Sequence, residues 1–399
     1  MRPVEHRLDH YALGIFDGPH ATPPESADGP VFLGIDNLTE DGRLALSNAR
    51  FISEQDFPRW TRRVEPQAGD VVFSYEATLH RYAVIPEGFR GCLGRRLALV
   101  RPDPKKLDSK FLLYYFLTPH WRAVAGEATI SGATVDRLLL TRVPSLPVSF
   151  PELDHQRRIA SILSAYDDLI ENNNRRIALL EQAARLLYEE WFVRLRFPGR
   201  EHTRIVDGVP KGWRRKTLGD LCVEVREQVS PENVEPDTPY IGLEHMPRRS
   251  ITLGTWGTAA DVTSTKHRYR TGEVLFGKIR PYFHKVGIAL NDGVTSSDAI
   301  VIRPNDDALG PLVLMTTSSD HFVKYTSQTV REGSKMPRAD WKVMQQYEVK
   351  MPLGGLLDLF ADIIGPLTDQ LKALTYQNRS ARAARDLLLP RLMSGGLMV

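Results

Sequence analysis

Two cysteines, Cys92 and Cys222, are all that 399 residues contain. They are too few for a disulfide framework, and a cytoplasmic location is expected. No apolar run approaches the roughly 18 residues that a membrane-spanning helix needs. Residues 1–10 are charged and do not follow the pattern of a secretory signal. The 11 histidines are scattered, and no ligand spacing joins them to the cysteines, so neither a metal nor a cofactor is expected. Catalysis finds no foothold either. There is no Asn-Pro-Pro-Tyr of methyl transfer and no glycine fingerprint for a methyl-donor cofactor. Gly272-Glu-Val-Leu-Phe-Gly-Lys278 follows G-x-x-x-x-G-K, but Ile279 stands where Ser or Thr would hold magnesium. Glu348-Val-Lys350 offers part of a nuclease signature that residues 142–144 do not repeat. A strong charge of one sign is also missing. The formal net charge is +3, so binding to nucleic acid would depend on local patches.

What the chain does have is a long apolar rhythm. Ile159, Leu163, Tyr166, Ile170, Ile177, Leu180, Ala184, Leu187 and Trp191 recur at alternating steps of three and four, with Asn173 standing in the series. A heptad seam held this long predicts one helix over residues 155–192 that pairs with another. Such a helix is roughly 55 Å long, and Phe197-Pro-Gly199 stops it. A second seam runs through Phe360, Ile363, Leu367, Leu374, Ala381, Ala384 and Leu388, interrupted at Gln370 and Gln377. Gly365-Pro366 is expected to break or kink this second helix near its start. Pairing falls on Leu163, Tyr166, Ile170, Ile177, Leu180 and Leu187 in the first helix, and on Ile363, Leu367, Leu374 and Leu388 in the second. Asn173 has two readings: a buried amide that fixes register across the pair, or a solvent-facing edge residue, to which Asn172-Asn-Asn174 leans. Trp191 and Phe192 could anchor a partner, but core packing is favoured.

The second seam belongs to a second copy. Glu181-Gln-Ala-Ala-Arg-Leu-Leu returns as Ala381-Arg-Ala-Ala-Arg-Asp-Leu, and Phe32-Leu-Gly-Ile-Asp-Asn-Leu38 as Tyr240-Ile-Gly-Leu-Glu-His-Met246. Gly69-Asp-Val-Val-Phe-Ser74 returns as Gly272-Glu-Val-Leu-Phe-Gly277. A period near 200 residues is a domain duplication rather than a solenoid repeat. Aromatic stretches at 108–121 and 309–325 are expected as buried helices, and loops at 131–134 and 333–341 as counterparts. The expected class is α+β: two mixed α/β domains in internal duplication, separated by two long helices that form an antiparallel coiled coil. The boundaries read as 1–150 and 199–352 for the domains, and 151–198 and 353–399 for the helical spacers.

Basic and aromatic residues interleave in both halves. In the first are Arg59, Trp60, Arg62, Arg63, His80, Arg81, Tyr82 and Arg95. In the second, residues 266–285 hold six Lys or Arg against one acid, Glu273. Lys266, His267, Arg268, Tyr269, Arg270, Lys278, Arg280, Tyr282 and Lys285 are candidates there, and Gln328 is a possible adenine reader. This is the positive footprint that DNA phosphates require, although a charge run taken alone is usually a solvated face.

Taken together, these features resemble the specificity subunit of type I restriction-modification systems. The resemblance rests on Pro151-Glu-Leu-Asp-His-Gln156 with Ile159 and Leu163, the stretch 178–191, Gly212-Trp-Arg-Arg-Lys-Thr-Leu-Gly-Asp220, Lys278-Ile-Arg-Pro-Tyr282 and Arg385-Asp-Leu-Leu-Leu-Pro-Arg-Leu-Met-Ser-Gly395. It covers nearly the whole chain. It implies two target-recognition domains, each reading one half of a split double-stranded DNA target. It also implies paired helices that set the gap and dock two methyltransferase subunits, with a motor-nuclease subunit joining for cleavage. The subunit would be non-catalytic by itself. The rival reading is a DNA-binding scaffold or regulator unrelated to restriction and modification.

Overall fold

The computed structural model describes residues 4–131, 135–328, 336–352, 354–397 and 399, with the side chain of Asp261 left aside. The expected loops at 131–134 and 333–341 therefore fall partly outside the described residues. The chain forms two compact units. Unit 1 is Met1–Leu169 with Ser380–Val399, and unit 2 is Ile170–Arg379.

In unit 1, an antiparallel sheet runs in the order Ala12–Asp17, Leu97–Pro102, Val71–Ser74, Tyr82–Val84. All four residues of the strand Val71–Ser74 are buried. Alternation along a strand sends Val71 and Phe73 into one apolar cluster and Val72 into another, with Leu33, Leu93 and Leu99. A smaller sheet joins Arg50–Phe51, Ser26–Leu33 and Gly91–Leu93, the last two parallel. The aromatic stretch expected as one helix is two, Ser109–Phe116 and Pro119–Gly126. Pro119 holds Thr118 extended, and the Thr118 hydroxyl accepts from Trp121 N–H to cap the second helix.

In unit 2, the corresponding antiparallel order is Cys222–Val225, Ala299–Pro304, Val274–Gly277, Val286–Ile288. The second sheet runs Gln228–Val229, Lys266–Tyr269, Gly293–Thr295, Pro239–Ile241, Gly257–Thr258. It too has a parallel pair, Pro239–Ile241 with Gly293–Thr295. Helices Gly310–Thr317 and Asp320–Gln328 follow.

The first long helix is Leu153–Tyr188, running on into a π-helical turn at Glu189–Val193. The second is Gly355–Met393. Each unit owns a stretch of both. In unit 1, Ile159, Ala160, Leu163 and Leu392 join one core, and Asp167 accepts from Tyr114 Oη and from Arg385 Nη1, both at 2.5 Å. In unit 2, partners descend from Gln377 to Phe360 as the first helix climbs from Asn173 to Trp191, so the pairing is antiparallel. Of the expected pairing residues, Leu163, Ile170 and Leu374 are buried, and Tyr166, Ile177, Leu180, Leu187, Leu367 and Leu388 are half-buried.

Three expectations are corrected along these helices. Gly365-Pro366 neither breaks nor ends the second helix. Pro366 is exposed, while Phe360, Ile364 and Leu371 are fully buried around it. Their packing outweighs the one backbone bond a proline removes, and Thr368 Oγ1 donates to Gly365 O at 2.7 Å. Ile363 is 37% exposed and Ile364 takes its place, because the seam steps four, not three, from Phe360. The same phase puts Leu371 inside and Gln370 outside. Asn173, finally, is buried, and its Nδ2 donates to Gln377 Oε1 at 3.2 Å. The buried reading holds over the solvent-facing one. Trp191 and Phe192 are core, packed on Phe360.

Candidate nucleic-acid interface

In unit 1, the short helix Phe57–Trp60 and the turn after it place Arg59, Arg62 and Arg63 along a groove with His20. Asp17 holds Arg63 at 2.6 Å and His20 Nε2 at 2.9 Å. Tyr75 Oη donates to the backbone carbonyl of Arg95 at 2.6 Å and lies 3.5 Å from His20 Nδ1, which brings Arg95 to the same face. Glu76 bridges Arg96 and Arg137, and Arg137 lies over the Tyr75 ring. Arg59, Arg62 and Arg95 are exposed and make no ion pair among the described residues. Their charges are left to meet something else.

Two candidates of this half are corrected. Trp60 is buried with Phe32, Ile52, Phe57 and Cys92. Tyr82 is buried in the main core, its hydroxyl accepting from Trp121 Nε1 at 3.0 Å, and burial raises its pKa. Neither ring can reach a base. Arg81 is tied to Glu40 at 2.6 Å. His80 contacts Tyr82 Oη through Nδ1, and burial followed by the nearby Arg122 lowers its pKa.

In unit 2, the loop between Val274–Gly277 and Val286–Ile288 carries Lys278, Arg280, Tyr282 and Lys285. Arg248 lies 4.1 Å over the Phe283 ring and Arg280 lies 5.7 Å from it, with Tyr282 edge-on and 55% exposed. Lys278 donates to Ser297 O at 3.3 Å and Lys285 to Leu243 O at 2.6 Å, which orients both ammonium groups. Arg280 and His284 hold left-handed backbone, φ +49° and +53°. The matching loop of unit 1 does the same at Ala77 and His80, φ +69° and +62°. Such residues cost of order 1–3 kcal/mol each and persist where surrounding structure holds them. His284 is buried, and its Nε2 lies 2.8 Å from Ser318 O. Burial is the main cause of its lowered pKa, and the ring serves the loop's interior.

The strand Lys266–Tyr269 is a poorer reader than its composition suggests. Tyr269 is buried and donates to Asn291 Oδ1 at 2.9 Å. Lys266 is buried and held by Ser264. Both leave the exposed set, one at each end of the strand. Arg268 donates to Asn233 O at 3.1 Å. His267 is half-buried, its pKa lowered by burial and then by Lys278. Arg270 and Gln328 are exposed.

Sequence reading missed His20, Arg137, Arg248 and Phe283. His20, Arg137 and Arg248 lie outside the basic runs, and only the fold brings them in. Phe283 lies inside one, between Tyr282 and His284. Among the described residues, no group of His, Cys, Asp and Glu is placed to hold a metal ion. Burial pushes both thiols, Cys92 and Cys222, up to about 12, which leaves them inert at neutral pH. No helix among the described residues is long and apolar enough to cross a membrane.

Comparison with known proteins bears on this arrangement. The family model described as the type I restriction modification DNA specificity domain matches residues 49–182. The chain is similar to the MjaIX type I restriction enzyme specificity subunit of Methanocaldococcus jannaschii, with 22% identity over 310 residues, 73% of this chain and 69% of that one. It is similar to the HindI specificity subunit of Haemophilus influenzae, with 19% identity over 369 residues, 75% of this chain and 80% of that one. Its fold is that of the crystal structure of the type I restriction-modification S subunit from M. genitalium. The TM-score is 0.58 at 14% identity, covering 98% of this chain and 99% of the other.

Proposed function

The chain belongs to the family of type I restriction-modification specificity subunits, and from that premise we propose that it reads a bipartite, asymmetric DNA target for a larger complex. One observation carries the reading. Each unit presents, around the loop between the same two strands of its main sheet, an arginine near an aromatic ring: Arg137 over Tyr75, and Arg280 over Phe283, on which Tyr282 packs edge-on. Arginine serves both tasks in a groove, phosphate contact and guanine recognition. The loops differ in sequence, so the two halves of the target differ as well. The corresponding strand orders support an internal duplication in which residues 1–150 and 199–352 form the recognition domains.

The long helices, 151–198 and 353–399, act as the spacer between the half-sites and as the dock for partners. Leu179 and Leu186, one heptad apart on the first helix, are 65% and 53% exposed. Leu359 and Ile363, one turn apart on the second, are 41% and 37% exposed. Apolar strips of this kind suit protein partners. The partners are two methyltransferase subunits, joined by a motor-nuclease subunit when the complex cleaves. The chain itself supplies recognition and no catalysis, and it works in the cytoplasm.

The test is the methylated-base map of host DNA with and without this gene. Loss of methylation at one split, asymmetric motif is the expected result. An unchanged map, with purified protein binding one continuous site, would replace this reading with a DNA-binding scaffold.

A further inference from the structure

Lys266 is 8% exposed, yet no carboxylate pairs with it among the described residues. Its Nζ donates to Ser264 O at 2.9 Å and Ser264 Oγ at 2.7 Å, and lies 5.9 Å from the centre of the Tyr240 ring. An ammonium has three protons to place, and two are placed on neutral acceptors. A buried cation without a counter-charge is costly, and sites that keep one generally hold an anion against it.

The surroundings fit one. Lys266 lines a pocket with Tyr240, His245, Gly257, Thr258 and Thr263, where three strands of the second sheet of unit 2 come together. His245 Nδ1 accepts from Gly242 N–H at 3.0 Å, which puts the proton of the neutral ring on Nε2. That nitrogen is at the pocket, since a Cβ added to Gly257 would lie 3.3 Å from it. Among the described residues, the carboxylate paired with the ring, Glu244, lies 3.6 Å from Nδ1 rather than Nε2. Thr258 and Thr263 are exposed and leave the mouth open. An ammonium, an imidazole N–H and two threonines thus line the space, and no acid does so among the described side chains.

We propose that this pocket binds a phosphate group, through Lys266 Nζ, His245 Nε2–H and the threonine hydroxyls. A tetrahedral oxyanion offers acceptors in as many directions as the donors come from, and lysine is a usual point charge for it. The group is either a backbone phosphate of duplex DNA or a free phosphate, inorganic or of a 5′-mononucleotide. The inference stands on Lys266 and its neighbours and is independent of which bases the two units read.

The experiment uses the full chain and two variants. Lys266→Met keeps the stem and removes the charge, whereas Gly257→Val keeps the charge and fills the space. Inorganic phosphate is titrated against chloride of equal ionic strength, with binding followed by calorimetry and by thermal midpoint. Duplex affinity is measured in parallel across salt concentrations. If the group is free phosphate, wild type binds it saturably, both variants weaken that binding roughly tenfold or more, and duplex affinity is unchanged. If it belongs to DNA, both variants weaken binding to every duplex alike, and Lys266→Met lowers the salt slope by about one. Lys266→Met alone should melt no lower than wild type, because it removes an unpaired buried charge. Variants that match wild type in phosphate response, duplex affinity and salt slope would overturn the proposal.

Discussion

Asn173 donates its side-chain amide to Gln377 across the two long helices at 3.2 Å. Beside it, Asn378 donates to Asn174 at 2.9 Å. Both pairs join residues 204 apart in the chain. Amides set into an apolar seam weaken packing but accept few alternative partners, so they select one register out of several.

Replacing Asn173 and Gln377 together by leucine should therefore raise stability by about 1 kcal/mol or more while loosening the register. Denaturant unfolding would show the gain. The methylation map would show more than one gap length between unchanged half-sites. A lower unfolding midpoint would sink the idea.

A heptad removed from one helix alone would slide Trp191 away from Phe360, whose rings lie 5.8 Å apart. Matched removal of a heptad from both helices keeps the antiparallel contacts. It should shorten the gap or abolish binding, and leave both half-site sequences as they were. Sequencing of the methylated motif decides this, and altered half-sites would contradict the spacer role.

Arg280→Ala and Tyr282→Ala should relax one half-site and Arg95→Ala the other, with no cross-effect. A lost base contact costs about 1–3 kcal/mol at one position, whereas a lost phosphate contact weakens all sequences alike. Binding to duplex panels varied in one half at a time separates the two. Equal losses in both halves after Arg280→Ala would count against independent reading.

His80, His267 and His284 all have lowered pKa values, with burial as the largest cause. Around His284, Arg185 and Arg249 push the same way, while the Ser318 carbonyl and Asp320 oppose them. Folding keeps these rings neutral, so the unfolded chain takes up the protons first. Stability is fully present above their ordinary value of 6.5 and falls as pH drops below it. Thermal midpoints measured from pH 7.5 to 5.5 should decline, and His284→Gln should flatten part of that slope. A midpoint rising on acidification would refute the assignment.

The long helices were legible in the sequence because a heptad rhythm is periodic and needs no knowledge of the partner. Its phase was not. Ile363 and Ile364 are equally apolar, and only the facing helix decides that Ile364 goes inside. Pro366 misled for a related reason: local propensity disfavours it, and packing by Phe360 and Leu371 overrides that preference. Among the interface candidates, composition found Arg59, Arg62, Arg95, Arg280 and Tyr282 on exposed surface. It also took in Trp60, Tyr82 and Tyr269, whose rings the core claims, because an aromatic in a basic run reads the same whether it points in or out. His20, Arg137 and Arg248 come from segments remote in sequence and become neighbours only through the fold.

The division of the chain sets the order in which it can be finished. Unit 2 is one continuous stretch, Ile170–Arg379, and all its contacts within itself are available once that stretch has been made. Those of unit 1 are not. Its core waits for Leu392, and Asp167 waits for Arg385, 218 residues further along. Until synthesis supplies that last helical segment, the earlier-made half lacks Leu392 in its core and Arg385 beside Asp167, so the half made earlier is the later to close. Closing so long a loop adds little entropy beyond closing a shorter one, so the cost falls chiefly on time. During that interval the unfinished half is the part of the molecule open to chaperones and proteases.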